Sequence, residues 1–477
     1  MSTSPRPYHE WEMKHKLLNN VNVNGFQYWN YMRRDMFMSF NDELAGTEPP
    51  FYKNMEKKGL ELGFDKVKEV LWQLLHTLKT DKKDIDALFL CHPRRQFLDG
   101  KMVSIYTDYI ADHFPNSVTL ERVGKQRLKK DEVYSKNVVY NYRLEVMSYI
   151  YRYFVKTFRP GLYAKVRAKI ENDMREPFED LKENYGFNPK FKSFCDRATA
   201  LYFFYEYRYP RYKKFLEKLN PKVIVEVVGG SVNTKIINEI AHEINIPTVE
   251  LQHGTGTLMN WYPDGVRTKQ FPDWYFTFAE FWKSAARFPV EDSHVVPAGF
   301  PYHDVMMKAY PRESWQHDQN TVIFLSSRKY GSRMSELAVE MKKLNKDLHI
   351  IYKLHPREIE GWREKYKALA SSDIEVIDEV KTPLYSLFAR SSMQVGVEST
   401  AVYEGMSFEL ETFIWDIPQS APMKILCDKG YAKSFKTAED FVKMISDETG
   451  HVNYDASEFW AENSMTKIVE KIKDIIK

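Results

Sequence analysis

Three short polar segments in the second half of the chain each follow an apolar run: Ser326-Ser327-Arg328, Lys353-Leu354-His355-Pro356-Arg357 and Glu398-Ser399-Thr400. Arg328, Lys353, His355 and Arg357 carry donors suited to charge-assisted hydrogen bonds with phosphate. Ser399 and Thr400 are placed to begin a helix, where backbone N–H groups and the helix dipole favour an anion. Together such groups can hold a diphosphate and stabilise charge that develops on a leaving group. Taken singly, each has a plain structural reading: His-Pro is a common loop, and Ser399 is a ready helix cap. Three such segments after three strands of the same half favour the chemical reading, because ligands of open parallel sheets bind beyond the carboxyl ends of the strands.

The first half offers a second set. Cys91-His92-Pro93-Arg94-Arg95, Gly229-Gly230-Ser231 and Gln252-His253-Gly254-Thr255 also follow apolar runs. An imidazole at His253 suits a general base acting on a hydroxyl, since its ordinary pKa of about 6.5 lies near working pH. The alternative is a histidine bonded to backbone. Gly229 and Gly230 allow a ligand to approach the main chain closely, or make a tight turn. His92, Arg94 and Arg95 either reach an acceptor or a donor phosphate, or form a solvated loop.

Those segments require strands behind them and helices after them. DALFLCHPRR, SVTLERV, PKVIVEVVGG, PTVELQHG and DWYFTFAEFW read as strands in the first half, with SVNTKIINEIAHEINI as a helix between two of them. TVIFLSSR, LHIIYKLHPRE, IEVID, MQVGVESTAVYEGM and ETFIWD repeat the pattern, followed by the helix TAEDFVKMISD with Thr437 as its cap. Alternation of strand and helix implies parallel sheets with right-handed crossovers. The expected fold is α/β, with two doubly wound, Rossmann-like halves facing a central cleft.

The expected division is a helical N-terminal extension over 1–78 and a first domain over 79–295 with a helical insertion at about 138–218. A second domain over 296–450 and a C-terminal helix over 451–477 that packs back on the first domain complete it. The linker is expected near 290–300. In the extension, Val67, Val70, Leu71, Leu74 and Leu75 would share one helical face. The insertion is expected to break at Arg159-Pro160 and around Gly186–Pro189.

With 477 residues the chain suits two large domains. Hydrophobic residues at 43% and charged residues at 28% mark a globular protein. Lys+Arg at 69 against Asp+Glu at 66 gives +3, which offers no basis for nucleic-acid binding. Cys91, Cys195 and Cys427 are too sparse for a disulfide framework or a zinc ribbon. The opening MSTSPRPYHEWEMKHK lacks the apolar core of a signal peptide, and no stretch approaches a membrane span, so a cytoplasmic location is expected. Basic and aromatic residues interleave between Tyr140 and Phe215, as in SYIYRYFVKTFRP. That pattern suits peripheral contact with the inner face of a membrane or a lipid-linked acceptor, but packed helices with solvent-reaching cations are the favoured reading. Asp84-Ile85-Asp86 is the one Asp-x-Asp string, and it lies at the entrance to a strand, so no metal site and no cofactor are expected.

The segments KLHPRE (353–358), VESTAVYEGM (397–406) and LQHGT (251–255) resemble the bacterial GT-B enzymes that build capsules and teichoic acids, including the CDP-glycerol glycerophosphotransferase group. The resemblance covers roughly residues 220–415. It implies His253 as catalytic base and His355 as a phosphate ligand. Ser399 and Thr400 match the helix start, Glu404 is similar to an acidic residue that binds ribose hydroxyls, and Arg328 to a cation after the first strand of the donor domain. The run GTLMNW stands where the teichoic acid enzymes place a lysine after His-Gly-Thr, which favours sugar transfer over glycerol-phosphate transfer. The implied partners are a nucleotide-sugar donor of CMP, CDP or UDP type and a glycan or lipid-linked acceptor, with metal-independent, inverting transfer. A glycerophosphotransferase, a nucleotide-sugar epimerase of the same fold and a non-catalytic polysaccharide-binding or lipid-precursor-binding protein remain the alternatives.

Overall fold

The computed structural model describes residues 7–44, 71–92, 95–98, 100–121, 132–260, 266–447 and 454–477. The first sheet contains β1 (Ala87–Leu90), β4 (Ser117–Glu121), β5 (Val138–Tyr140), β6 (Val223–Glu226), β7 (Thr248–Leu251), β8 (Trp274–Thr277) and β9 (Val295–Pro297). All pair in parallel, in the order β5-β4-β1-β6-β7-β8-β9. An antiparallel hairpin of β2 (Arg95–Leu98) and β3 (Lys101–Ser104) follows β1.

The residues of these strands alternate between two faces, as the pleat requires. Leu88, Leu90, Val118, Leu120 and Ile224 join a helical core on one face. That core comprises α1 (Pro7–Lys14), α2 (Tyr28–Leu44), α5 (Pro160–Tyr185) and α6 (Phe191–Leu219), together with α7 (Val232–Glu243). On the other face, Ala87, Phe89, Val223, Val225, Val249 and Phe276 pack with Ile110 of α3 (Asp108–Ala111). The amphipathic helix α4 (Tyr142–Phe158) precedes α5, and the two meet at Arg159-Pro160.

The second sheet runs β10 (Asp318–Leu325), β11 (His349–Lys353), β12 (Glu375–Ile377), β13 (Ser391–Gly396), β14 (Glu411–Trp415) and β15 (Lys433–Phe435). Its order is β12-β11-β10-β13-β14-β15, again wholly parallel. In both sheets the chain starts at the centre, winds outward twice, then returns to the other side. That is the doubly wound order, with switch points between β1 and β6 and between β10 and β13. The fold is therefore the expected α/β pair of Rossmann-like halves, a GT-B architecture. Helices α8 (Pro301–Ala309), α9 (Gly331–Leu344), α10 (Thr400–Met406) and α11 (Ala438–Ser446) accompany the second half, and α11 begins with a capping box between Thr437 and Asp440. Finally α12 (Ser464–Ile475) inserts Ile468, Val469 and Ile472 against the β1, β6 and β7 face of the first sheet.

The two halves share an aromatic core. Trp282 lies 4.5 Å from Tyr403, ring centre to ring centre, and donates its indole N–H to the Phe459 carbonyl. Trp460 donates to the Tyr403 carbonyl.

Four features differ from expectation. Residues 295–297 are not linker but the seventh strand of the first sheet, and Ala298 is buried in its core. The insertion starts after 140, because Val138–Tyr140 forms the sheet's edge strand. Residues 71–75 are helical, but Leu71 and Leu75 are exposed rather than facing a core, while Val67 and Val70 lie outside the described residues. The terminal helix starts at Ser464, after Asn463 takes a left-handed conformation.

The extension is held together by a buried ion pair. Arg33 holds Glu12 with two hydrogen bonds of 2.8 and 2.9 Å, and Trp29 donates to the same carboxylate. Glu12→Ala leaves a buried guanidinium without its carboxylate. It is expected to destabilise the fold by about 3–5 kcal/mol, read by chemical denaturation.

Candidate functional site

At the first switch point β1 ends in Cys91-His92, β6 in Val227-Val228 and the Gly229-Gly230 turn, and the neighbouring β7 in Gln252-His253. The buried Gln252 side chain sets the path of the last segment. Its carbonyl oxygen accepts from the Phe278 N–H at 2.8 Å, and its amide reaches the Gly254 carbonyl. His253 is thereby left exposed at the strand end, with its ring centre 4.5 Å from that of His92. Tyr106 packs against both rings and donates its hydroxyl to the His253 carbonyl at 2.9 Å.

A cavity of about 490 Å³ opens beside His92. Its walls include Glu145 and Tyr149 of α4, Arg208 of α6, and Ser231 and Asn233 at the start of α7. Arg208 pairs with Glu145 at 2.6 Å and donates to Asn233 at 2.9 Å. Val146, Val228 and Val232 complete a mixed lining in which the polar groups are held in place, and the cavity sits beyond the switch point of the sheet.

The second half meets this edge directly. The Thr255 hydroxyl donates to the Glu398 carbonyl at 2.6 Å, and the Thr255 N–H donates to Thr400 Oγ1 at 3.2 Å. A Cβ at residue 254 would lie 2.3 Å from Thr400 Oγ1, so only glycine fits that approach. Because β10 lies between β11 and β13, the loops after all three are neighbours. Lys329 bridges two of them through its 3.4 Å ion pair with Glu398.

The organising group of that edge is Glu358, a buried carboxylate. It accepts from Ser326 Oγ at 3.1 Å, from the Tyr366 hydroxyl at 2.6 Å and from the His355 N–H at 2.9 Å. The Arg357 N–H donates to His355 Nδ1 at 3.1 Å. A backbone N–H can only donate, so Nδ1 is an acceptor and the neutral ring carries its proton on Nε2. His355 and the Arg328 and Arg357 side chains are exposed around this loop. Glu404 is buried one turn into α10.

Several expected ligands serve the chain itself. Arg95 is buried between Glu121 and Asp108 and donates to the Met102 carbonyl, so it braces the β2–β3 hairpin rather than facing a ligand. Ser326 is committed to Glu358 and Tyr352. The Ser327 carbonyl accepts from Tyr330 and Gly331 at the start of α9. Ser399 caps α10 by accepting from the Ala401 N–H, which uses one of the amides expected to meet an anion. Thr400 belongs to the contact between the halves. Lys353 donates to the Glu379 carbonyl, and burial lowers its pKa. The two glycines admit protein side chains, not a ligand: the Gly229 N–H donates to Glu250 at 3.1 Å, and a Cβ at Gly230 would lie 2.9 Å from Cδ of Arg34. Arg94 lies outside the described residues. Burial pushes the Cys91 thiol up to about 12, which leaves it unreactive. Tyr106 and Glu358 were not singled out from sequence; Glu358 stands inside the KLHPRE segment, whereas nothing around Tyr106 marks it.

Among the described residues no group of three or more His, Cys, Asp and Glu side chains is arranged to hold a metal ion. No family model and no curated protein matches the chain. Among solved structures, UDP-GlcNAc 2-epimerase from Methanocaldococcus jannaschii is similar at 12% identity and a TM-score of 0.48, over 82% of this chain and 99% of that one. The wall teichoic acid polymerase TagF is similar at 12% identity and 0.43, over 86% and 93%. MurG from Acinetobacter baumannii is similar at 14% identity and 0.40, over 57% and 78%. The architecture assigned above rests on strand order, not on these likenesses.

Beneath the glycine turn, Lys235 donates to the Asn30 carbonyl at 2.7 Å in a buried cluster with Arg33 and Arg34. Burial, and then the nearby Arg33 charge, lower Lys235 from 10.5 to about 7. Between those two values the unfolded lysine holds a proton that the folded one lacks, so this residue makes stability rise with pH across that window. Denaturation at several pH values across that range is expected to show a flatter pH dependence for Lys235→Met than for the natural chain. Equal slopes would refute the assignment.

Proposed function

We propose that the protein is a nucleotide-sugar-dependent glycosyltransferase whose acceptor occupies the cavity beside His92 and whose donor lies on the second half. One observation supports this reading most: His92 lines that cavity with His253 beside it, and Thr255, two residues beyond His253, bonds directly to the 398–400 segment of the second half. In this reading a base, an acceptor-sized cavity and a cationic edge face one gap.

In the proposed reaction His253 takes the proton of an acceptor hydroxyl. The hydroxyl oxygen forms a bond to the anomeric carbon as the bond from that carbon to the donor phosphate breaks. The departing electron pair stays on the phosphate oxygen, where Arg328, Arg357 and the Nε2–H of His355 stabilise it. Glu404 is proposed to bind ribose hydroxyls, with a donor of CMP, CDP or UDP type. Displacement in a single step inverts the anomeric centre. Charge stabilisation in this scheme comes from side chains of the chain, with no metal. The proposed acceptor is a glycan or lipid-linked saccharide of the cell envelope, such as a capsule precursor, whose hydroxyls would meet Glu145, Arg208 and Asn233 in the cavity wall.

A screen of melting temperature against UDP, CMP, CDP and GDP derivatives is expected to show a rise with one nucleotide class. His253→Ala is expected to lower turnover by about 10²–10⁴-fold while leaving that rise intact. A variant that loses nucleotide binding instead would contradict the role. Turnover of the donor without any acceptor would point to an epimerase of the same fold, and a preference for CDP-glycerol to glycerophosphate transfer.

A further inference from the structure

Helix α4 has two unlike faces. Leu144, Ser148 and Val155 are buried, whereas Tyr149, Ile150, Tyr153, Phe154 and Phe158 are 46–69% exposed. These five follow i, i+4 steps along the solvent side of the helix. Among the described residues no other element exposes more than two large apolar side chains. The aromatic residues of α6 behave as expected of a packed helix, with Phe194, Phe203 and Tyr212 in the core; of those of α4, Tyr142 is buried and Tyr151 half-buried, whereas Tyr149, Tyr153, Phe154 and Phe158 are exposed.

The charge around this ridge is one-sided. From 146 to 170, between Glu145 and Glu171, there is no carboxylate, and there are six cations: Arg152, Lys156, Arg159, Lys165, Arg167 and Lys169. Arg167 pairs with Glu171 and Asp196, and Lys169 with Asp173, so the local excess lies in Arg152, Lys156, Arg159 and Lys165, in a chain whose net charge is only +3. Lys156, Arg159 and Lys165 are exposed. No helix among the described residues is long and apolar enough to cross a membrane.

Aromatic rings flanked by cations match the interfacial layer of an anionic bilayer, with rings at headgroup depth and cations on lipid phosphates. A two-fold contact between copies of the chain would set this cationic segment against itself, which electrostatics opposes. We propose that the exposed face of α4 and the turn into α5 seat on an anionic phospholipid surface, so that the adjoining cavity receives the headgroup of an acceptor carried by that bilayer. Tyr149 belongs to both features, since it stands in the ridge and in the cavity wall. The lipid contact stands on the ridge and its charge alone; the presentation of an acceptor rests on the function proposed above.

The test is co-sedimentation of the full chain with vesicles of phosphatidylcholine alone or mixed with phosphatidylglycerol at about three to one. The natural chain is expected to bind the anionic vesicles and to be released by about 0.5 M salt. Tyr153→Glu with Phe158→Glu, at the two most exposed positions, is expected to weaken binding by at least about tenfold with an unchanged melting temperature. Lys156→Glu with Arg159→Glu is expected to act in the same direction. The proposal is overturned if the natural chain binds neither vesicle, or if the variants bind as tightly. A dimer that the Tyr153/Phe158 substitutions convert to monomer would overturn it in favour of a second copy. None of these failures alters a nucleotide-dependent rise in melting temperature, and a missing rise with intact vesicle binding would refute the transferase reading alone.

Discussion

The two hydrogen bonds made by Thr255 are the constraint on which the site depends. They join the end of β7 to the start of α10, and so bring the imidazole side of the first sheet to the cationic side of the second. The geometry is tight enough that residue 254 has no room for a side chain. Behind the contact, Trp282, Tyr403, Phe459 and Trp460 form a shared core that limits how far the halves can part. Apolar contact sets the general approach of the domains, and directional hydrogen bonds at the rim set their register.

Glu358 plays the corresponding part within the second half. A buried carboxylate is tolerable when its oxygens are well supplied with donors, and here a serine, a tyrosine and a backbone amide supply them. The loop 355–358 is thereby closed on itself, and the His355 tautomer is fixed by its neighbour's amide. A Cβ at residue 331 would lie 2.0 Å from Glu358 Oε1, so the start of α9 is built around the same group.

Much of the fold is legible in sequence because parallel strands buried on both faces read as plain apolar runs, such as KVIVEVV and TVIFL. The missed strands β5, β9 and β15 have three residues each and no apolar alternation of the kind that marks the equally short β12 within IEVID, and β2 and β3 form a hairpin in the polar stretch after β1. Site residues were legible by position but not by partner. Arg95 follows a strand as a ligand would, yet Asp108 and Glu121, which bury it, come from other elements. Ser326, Ser399 and Thr400 have hydroxyls equally suited to phosphate and to protein, and only the three-dimensional neighbours decide between them. His253 needed no such arbitration to be noticed, since a histidine between a strand and a glycine is conspicuous. The pairing with His92, more than 150 residues away, follows from the strand order alone.

The position of α12 bears on how the chain is made. The face of the first sheet that carries Phe89, Val225, Val249 and Phe276 is covered by Ile468, Val469 and Ile472. Those residues are synthesised only after the whole second half. Until then the sheet keeps an apolar face open to water, so the first half cannot reach its final burial as an independent unit during translation. Completion of the earlier domain must therefore follow synthesis of the later one, and a nascent chain halted between the two would present a sticky surface to chaperones.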